Sequence, residues 1–252
     1  MIKTRAIVLH RFPYSDSSFI IKALTEVCGI ISFIVKGGKK KESPFRGALD
    51  PLALCEIVFH QNPNSDLQFI KEATLLDWRK NLRNDLLSLA KAQVMTEMIL
   101  RYAPQGVPLQ EEFARLEQAI SEFDETSGGS ANAPTHKSNI FARWLLDTCD
   151  MWGYNLDLTT CCRCGHILEK PAADFFPETG GFVCQACLGV EHPRARLETL
   201  NGLWALQTGD KIEHPEFTEN ALLTYLRHHI GFLKEIHSIK FLNETRKLFE
   251  RP

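Results

Sequence analysis

The 252-residue chain is predicted to be an α+β protein of two parts, a small closed β-barrel followed by an α-helical domain with an embedded cysteine module. Three observations carry that prediction. Positions 1–80 are short β-branched and aromatic runs between turn residues. After Trp78 the hydrophobic spacing changes to that of a helix. Five of the eight cysteines then crowd into the stretch from Cys161 to Cys187. The domains are accordingly placed at 1–80 and 81–252, with the cysteine insert at about 159–190.

Five segments of the first part read as strands: TRAIVL (4–9), SFIIKALT (18–25), GIISFIVK (29–36), LALCEIVF (52–59) and LQFIKEA (67–73). Polar, Gly and Pro residues punctuate them. Five strands with no helical period between them suit closure, which removes unpaired edges. A five-stranded OB barrel is the economical arrangement; an SH3-like barrel would read nearly the same. Beyond it, Leu82, Leu86, Ala90, Val94 and Met98 fall four apart, with Leu89 on the same stripe, and predict a helix ended by Pro104, Gly106 and Pro108. Phe113, Leu116, Ile120 and Phe123 mark a second helix, and Phe141, Trp144, Leu145 and Trp152 a third. TSGGSANAPTH (126–136) is a small-residue connection, expected to be mobile. Helices resume at Leu197–Leu206 and at Leu222, Leu226, Ile230 and Leu233.

A composition of 44% hydrophobic and 24% charged residues excludes collagen-like and wholly disordered classes. No apolar run approaches the ~20 residues that cross a bilayer. The start, MIKTRAIVLHRFPYSD, has only the short apolar patch AIVL, so no signal peptide is expected and the cytoplasm is the expected location. In a reducing compartment paired cysteines hold metal more often than they form disulfides. Cys161-x₂-Cys164 and Cys184-x₂-Cys187 are separated by the stretch 165–183, a spacing that fits a zinc-ribbon template. Two such turns complete a tetrahedral S₄ shell suited to one Zn²⁺. A closed shell is structural and leaves no position for substrate. Cys162 is separated from Cys164 by Arg163 alone, a poor knuckle, and is expected as a spare thiol beside the site; His166 is expected at the surface.

No catalytic residue is assigned. H-x-E with P-C-x-x-C, H-E-x-x-H, the P-loop and G-x-S-x-G are all missing from the sequence. Asp147, Asp150 and Asp157 are expected as solvated charge. His229 is expected to pack in the core, with its neighbour His228 facing water.

The net charge of −2 hides an asymmetry: positions 1–80 hold 12 Lys+Arg against 8 Asp+Glu, and the remainder 17 against 23. Polyanion contact therefore belongs to the first third. Lys36, Lys39, Lys40, Lys41 and Arg46 place five positive charges between the third and fourth strands, opposed only by Glu42. With Arg11 in the first inter-strand loop they are the candidate DNA-binding residues. Phe12, Tyr14 and Phe45 are the aromatic candidates for base stacking.

These residues are similar to a known family. The stretch from Ala6 to Phe59 resembles the amino-terminal barrel of the RecO family, the bacterial DNA repair and recombination mediators. The likeness rests on YSDSS after strand one, T-E-x-x-G after strand two, KG closing strand three and ALDPL opening strand four. DFFPETGGFVCQAC resembles the family's second cysteine knuckle, and HSIKFLNE its closing helix. The resemblance implies an OB barrel, a helical domain with a zinc module, and no enzymatic turnover. It implies binding of single- and double-stranded DNA, annealing of complementary strands, and loading of the RecA recombinase with RecR and, in some settings, RecF. It also implies contact with the acidic tail of single-stranded DNA-binding protein, for which Arg143, Lys234, Lys240, Arg246 and Lys247 are candidates. Many members carry Gly-Glu before the aspartate of the first loop, where this chain has Tyr14-Ser15-Asp16. The alternative reading is a zinc-containing interaction scaffold whose barrel docks a partner without binding DNA.

Overall fold

The computed structural model describes residues 1–45, 47–128, 137–230 and 236–249. Five strands, β1 (Ile2–Pro13), β2 (Phe19–Thr25), β3 (Gly29–Val35), β4 (Leu54–His60) and β5 (Leu67–Asp77), close into a barrel in the order β1-β2-β3-β5-β4. All neighbours are antiparallel except β3 and β5, which run parallel. That order is the OB arrangement, and it decides between the two barrels that patterning alone leaves open. Alternation sends Val8, Ile21, Phe33, Ile57 and Phe59 inward, and Ala48 and Leu49 from the β3–β4 loop plug the same core. Phe33 and Phe59 meet edge-on with centroids 5.0 Å apart.

The turn between β2 and β3 shows why its sequence is Thr25-Glu26-Val27-Cys28-Gly29. The Thr25 hydroxyl donates to the Gly29 carbonyl at 2.8 Å and accepts from the Cys28 N–H at 3.0 Å. Gly29 has φ +69°, and a Cβ there would lie 2.0 Å from the Val107 carbonyl oxygen. Only glycine serves both demands.

The chain divides into two compact units, Met1–Ala131 with Ile236–Pro252, and Asn132–Glu235. In the first, α1 (Lys80–Asn84), α2 (Leu86–Tyr102), α3 (Gln110–Ser127) and α8 (His237–Phe249) join the barrel. The expected single helix through Leu82 and Met98 is split. Asp85 ends α1 and caps α2, its carboxylate accepting from the Ser88 N–H at 3.2 Å and the Ser88 hydroxyl at 3.0 Å. Leu82, Ala90, Val94 and Met98 are buried, but the break leaves Leu86 exposed and Leu89 half-buried. Arg79, 4% exposed, ties the barrel's end to α3 through Asp77 at 2.9 Å, Glu117 at 3.1 Å and the Ser121 hydroxyl at 2.8 Å.

One carboxylate clips α8 onto α2. Glu97 accepts from the His237 and Ser238 N–H groups (3.1 and 2.8 Å) and the Ser238 hydroxyl (2.7 Å), and pairs with Arg101 at 2.8 Å. Burial opposes its charge, yet the donors from Ser238, His237 and Arg101 win and hold its pKa below the ordinary 4.5. A depressed folded pKa contributes stability that is present above 4.5 and lost as pH falls through the folded value. Glu97→Gln is therefore expected to cost about 1–2 kcal/mol at neutral pH. The gap to wild type should narrow in acid, read as urea midpoints against pH; a gap constant across that range would refute the clip.

The second unit holds α4 (Ile140–Met151), β6 (Asp157–Cys161), β7 (Asp174–Phe176), β8 (Gly181–Val183), α5 (Gln185–Leu188), α6 (Leu197–Thr208) and α7 (Pro215–Ile230). Its three strands form a small sheet in the order β6-β8-β7. Phe141, Trp144, Leu145, Leu203, Leu206, Leu222 and Leu226 are buried as their spacing predicts. Trp152 stands just past α4, half-buried. His229 does not enter the core. Tyr225, one turn earlier, takes that place, its hydroxyl donating to the Tyr154 carbonyl at 2.9 Å, while the exposed His229 ring lies 4.3 Å from it. Leu233, and positions 129–136 of the small-residue connection, lie outside the described residues. Among the described residues no helix is long and apolar enough to cross a membrane.

Candidate metal centre and nucleic-acid interface

The first knuckle grows out of the end of β6. The Cys161 N–H donates to the His166 carbonyl and the Gly165 N–H to the Cys161 carbonyl, both at 2.8 Å, and Gly165 turns the chain at φ +71°. The second leaves β8 at Cys184, which caps the single-turn α5, with the Cys187 and Leu188 N–H groups donating back to its carbonyl. The two turns are laced together. The Cys184 N–H donates to Cys161 Sγ at 3.4 Å, and Arg163 reaches across to the Cys187 carbonyl at 2.8 Å.

The four sulfurs of Cys161, Cys164, Cys184 and Cys187 all lie within 4.8 Å of one another, with Cys164 and Cys184 at 3.8 Å. A tetrahedron with metal–sulfur bonds of about 2.3 Å has edges of about 3.8 Å, so the donor set fits a four-coordinate ion. Burial works against ionising Cys161, but N–H groups of Cys184, Arg163 and Cys164 outweigh it and hold the thiol down to about 6. Hydrogen bonds to the neighbouring Cys164 and Cys184 sulfurs push Cys187 up to about 12. Thiols must be deprotonated to hold a metal, and a divalent cation offsets the charge gathered on clustered sulfurs. Beneath it the apolar floor is small: Cys161, Phe176, Val183 and Leu188.

Cys162 is exposed and points out of the four, against Gly181, where a Cβ would come within 2.5 Å of its own. His166 is exposed and contributes its backbone carbonyl. Asp157 is exposed and bonds Thr159 and Thr160. Among the described residues no other group of three or more metal-ligating side chains converges. The sequence reading missed Asp174. Fully buried, it accepts from the N–H groups of Phe175, Arg194 and Ala195 at 2.8–2.9 Å and so pins the chain leaving the module to the module's own sheet.

The other candidate cluster lies at one end of the barrel. Lys36, Lys39, Lys40 and Lys41 are all exposed on the β3–β4 loop. That loop is fastened to the β1–β2 loop. The Lys39 N–H donates to the Ser17 carbonyl at 3.0 Å and its Nζ to the Ser15 carbonyl at 2.5 Å. Gly38 lies so close over Phe19 that a Cβ would fall 2.4 Å from the ring. Lys36 Nζ sits 4.9 Å above the ring of Phe69. Arg11 lies on β1, paired with Ile21 of β2, and not in the inter-strand loop expected of it; it pairs with Asp50 at 2.7 Å and covers the Phe19 ring. Arg46 lies outside the described residues. Tyr14 (58% exposed) and Phe12 present their rings to solvent, whereas Phe45 packs partly into the barrel core.

Phe69, 56% exposed, was not singled out in the sequence, because a Phe in an alternating strand reads as core. Here the inward neighbour is Gln68, whose amide accepts from the Asn62 N–H and donates to the Asn62 and Ser65 carbonyls. The polar residue is buried to cap the preceding loop, and the ring is left outside. Of the candidates for an acidic tail, Arg143 lies on α4, Lys240, Arg246 and Lys247 lie on α8, and Lys234 is outside the described residues.

Comparison with known proteins matches both halves. Residues 1–79 match the family model "Recombination protein O N terminal", and residues 83–238 match "Recombination protein O C terminal". The chain is 28% identical over 209 residues to the DNA repair protein RecO of Cutibacterium acnes, covering 82% of each chain. It is 24% identical over 255 residues to that of Syntrophobacter fumaroxidans, covering 96% of this chain and 97% of the relative. It is 24% identical over 254 residues to that of Desulforamulus reducens, covering 97% and 95%. With both models matched in order along most of its length, the chain belongs to the RecO family.

Proposed function

We propose that this chain is a DNA repair and recombination mediator that acts in the cytoplasm, at the nucleoid. In this reading it binds single- and double-stranded DNA, anneals complementary strands, and helps load the RecA recombinase onto DNA coated by single-stranded DNA-binding protein. RecR, RecF and the acidic tail of the coating protein are its partners. The observation that carries the reading is the set of exposed lysines 36, 39, 40 and 41 projecting from one end of an OB barrel, beside the solvent-facing rings of Tyr14 and Phe69. Such a combination holds phosphates by charge and bases by stacking, without reading sequence.

Zn²⁺ is the ion assigned to Cys161, Cys164, Cys184 and Cys187. It supplies folding free energy to a module whose own apolar core is small. Four thiolates fill a tetrahedral shell and leave no position for a substrate, so the module is structural and no catalytic turnover is assigned to the chain.

The direct test is a gel-shift titration of the full chain with a single-stranded oligonucleotide at low salt, followed by mixing with the complementary strand. A retarded complex and accelerated duplex formation are expected. No complex at any protein concentration would favour the interaction scaffold over the mediator.

A further inference from the structure

β1 carries a bulge. Val8 pairs with Ala23 on β2, the next pair is His10 with Lys22, and Leu9 is the extra residue. Without it His10 and Phe12 would follow Ala6 and Val8 into the barrel core. With it they turn outward beside Lys22, and their rings meet with centroids 4.1 Å apart. His10 is exposed and Phe12 is 38% exposed.

The rings open onto a groove of about 950 Å³ in the first unit, walled by β1, α2 and α8. Its lining holds Lys22, Arg83 and Arg101 against a single carboxylate, Glu97, while burial lowers the pKa of His10, which therefore offers a ring and not a charge at neutral pH. That carboxylate is already taken by Arg101 and the first turn of α8. Arg83 donates to the carbonyls of Trp78 and Pro51, both at 2.7 Å, and lies over the Trp78 ring. Its bonds go to neutral acceptors, and the carboxylates of Asp50 and Asp124 act on its charge only from further off, without a direct ion pair.

We propose that this groove holds a single strand of nucleic acid, with one base stacked on the Phe12–His10 ring pair and its phosphates on Lys22 and Arg83. The proposal rests on the DNA-binding reading above and adds a stacking subsite separate from the lysine loop. Charge complementarity calls for an anion, and the exposed Phe12 ring, held at 60° against His10, offers one face to a flat π system. An acidic peptide without an aromatic side chain would meet the first demand and not the second.

The test uses the full chain and a single strand carrying a fluorescent aminopurine. Stacking is expected to quench the probe on binding. Phe12→Leu, which keeps apolar bulk without a ring, should abolish the quenching and weaken binding about tenfold with an unchanged salt slope. Lys22→Gln should reduce the slope of log K against log salt by about 0.7. Both side chains face outward, so thermal unfolding should match wild type. If both variants bind and quench like wild type while reversal of Lys39, Lys40 and Lys41 weakens binding, the groove is overturned and the DNA-binding reading stands. If wild type forms no complex at low salt, both fall. An acidic peptide whose binding requires Phe12 and Lys22, alongside oligonucleotide binding that ignores them, overturns it too.

Discussion

Cys164→Ser is expected to abolish most metal binding at the proposed zinc site and to unfold the second unit's cysteine module while leaving the barrel folded. The reason is the size of what remains. From Cys161 to Leu188 the cluster under the sulfurs is Phe176, Val183, Leu188 and the ligand Cys161 itself, and Leu168, Ala172, Phe175 and Phe182 are the other buried apolar side chains of the stretch. Each fully buried side chain contributes roughly 1.5–3 kcal/mol, whereas ordering the backbone of this stretch costs about 1–2 kcal/mol for every position in it. The cluster alone cannot hold the module. A structural zinc contributes on the order of 10 kcal/mol, and removing one of four thiolates forfeits much of it. Metal analysis of the purified variant should fall well below one ion per chain. Amide exchange should accelerate across 157–190 and stay slow in β1–β5, which lie in the other compact unit. Cys162→Ser is the internal control: its sulfur points out of the cluster, so zinc content should not change. Full occupancy in Cys164→Ser would remove the four-cysteine assignment, and loss of zinc in Cys162→Ser would redirect it.

What the sequence made legible follows from the range of the interaction. Strands β1 to β5 were readable because inward alternation is local, and the knuckles because a C-x₂-C turn encloses its own chemistry. Tertiary demands defeated the same rules. Gln68 takes the inward position of β5 to cap a loop, so the outward ring of Phe69 went unrecognised. Asp85 breaks a stripe that hydrophobic spacing alone runs straight through. Glu97 finds its partners on α8, at the far end of the chain, and Asp174 binds N–H groups 20 and 21 positions on. Neither has a local signature. For the candidate site, the lysines were legible as charge, but the pairing of Arg11 with Asp50 was not. That pairing ranks the cations: Arg11 is balanced by a carboxylate, while the lysine run carries only Glu42 within it.

That ranking sets the second large effect. Replacing Lys39, Lys40 and Lys41 together by Glu is expected to lower affinity for a single strand about a hundredfold at ~0.1 M salt, and to flatten the salt slope by about 2. The size follows from counterion release. Each phosphate contact contributes about 0.7 to the slope on a single strand, hence about fivefold in affinity at ~0.1 M, and three contacts multiply. Lys39 also bonds the Ser15 and Ser17 carbonyls, so a displaced loop would add to the loss in the triple variant. Lys40→Gln separates the two causes. It leaves both Lys39 bonds in place, and it should shrink the slope by about 0.7 without moving the unfolding transition. Arg11→Gln should change the slope far less, because its charge already has a carboxylate 2.7 Å away. If the triple variant is folded and binds with the wild-type affinity and slope, the loop is no phosphate track. If Arg11→Gln matters as much as a lysine, then binding DNA must break the pair with Asp50, and the end of β1 becomes the primary contact.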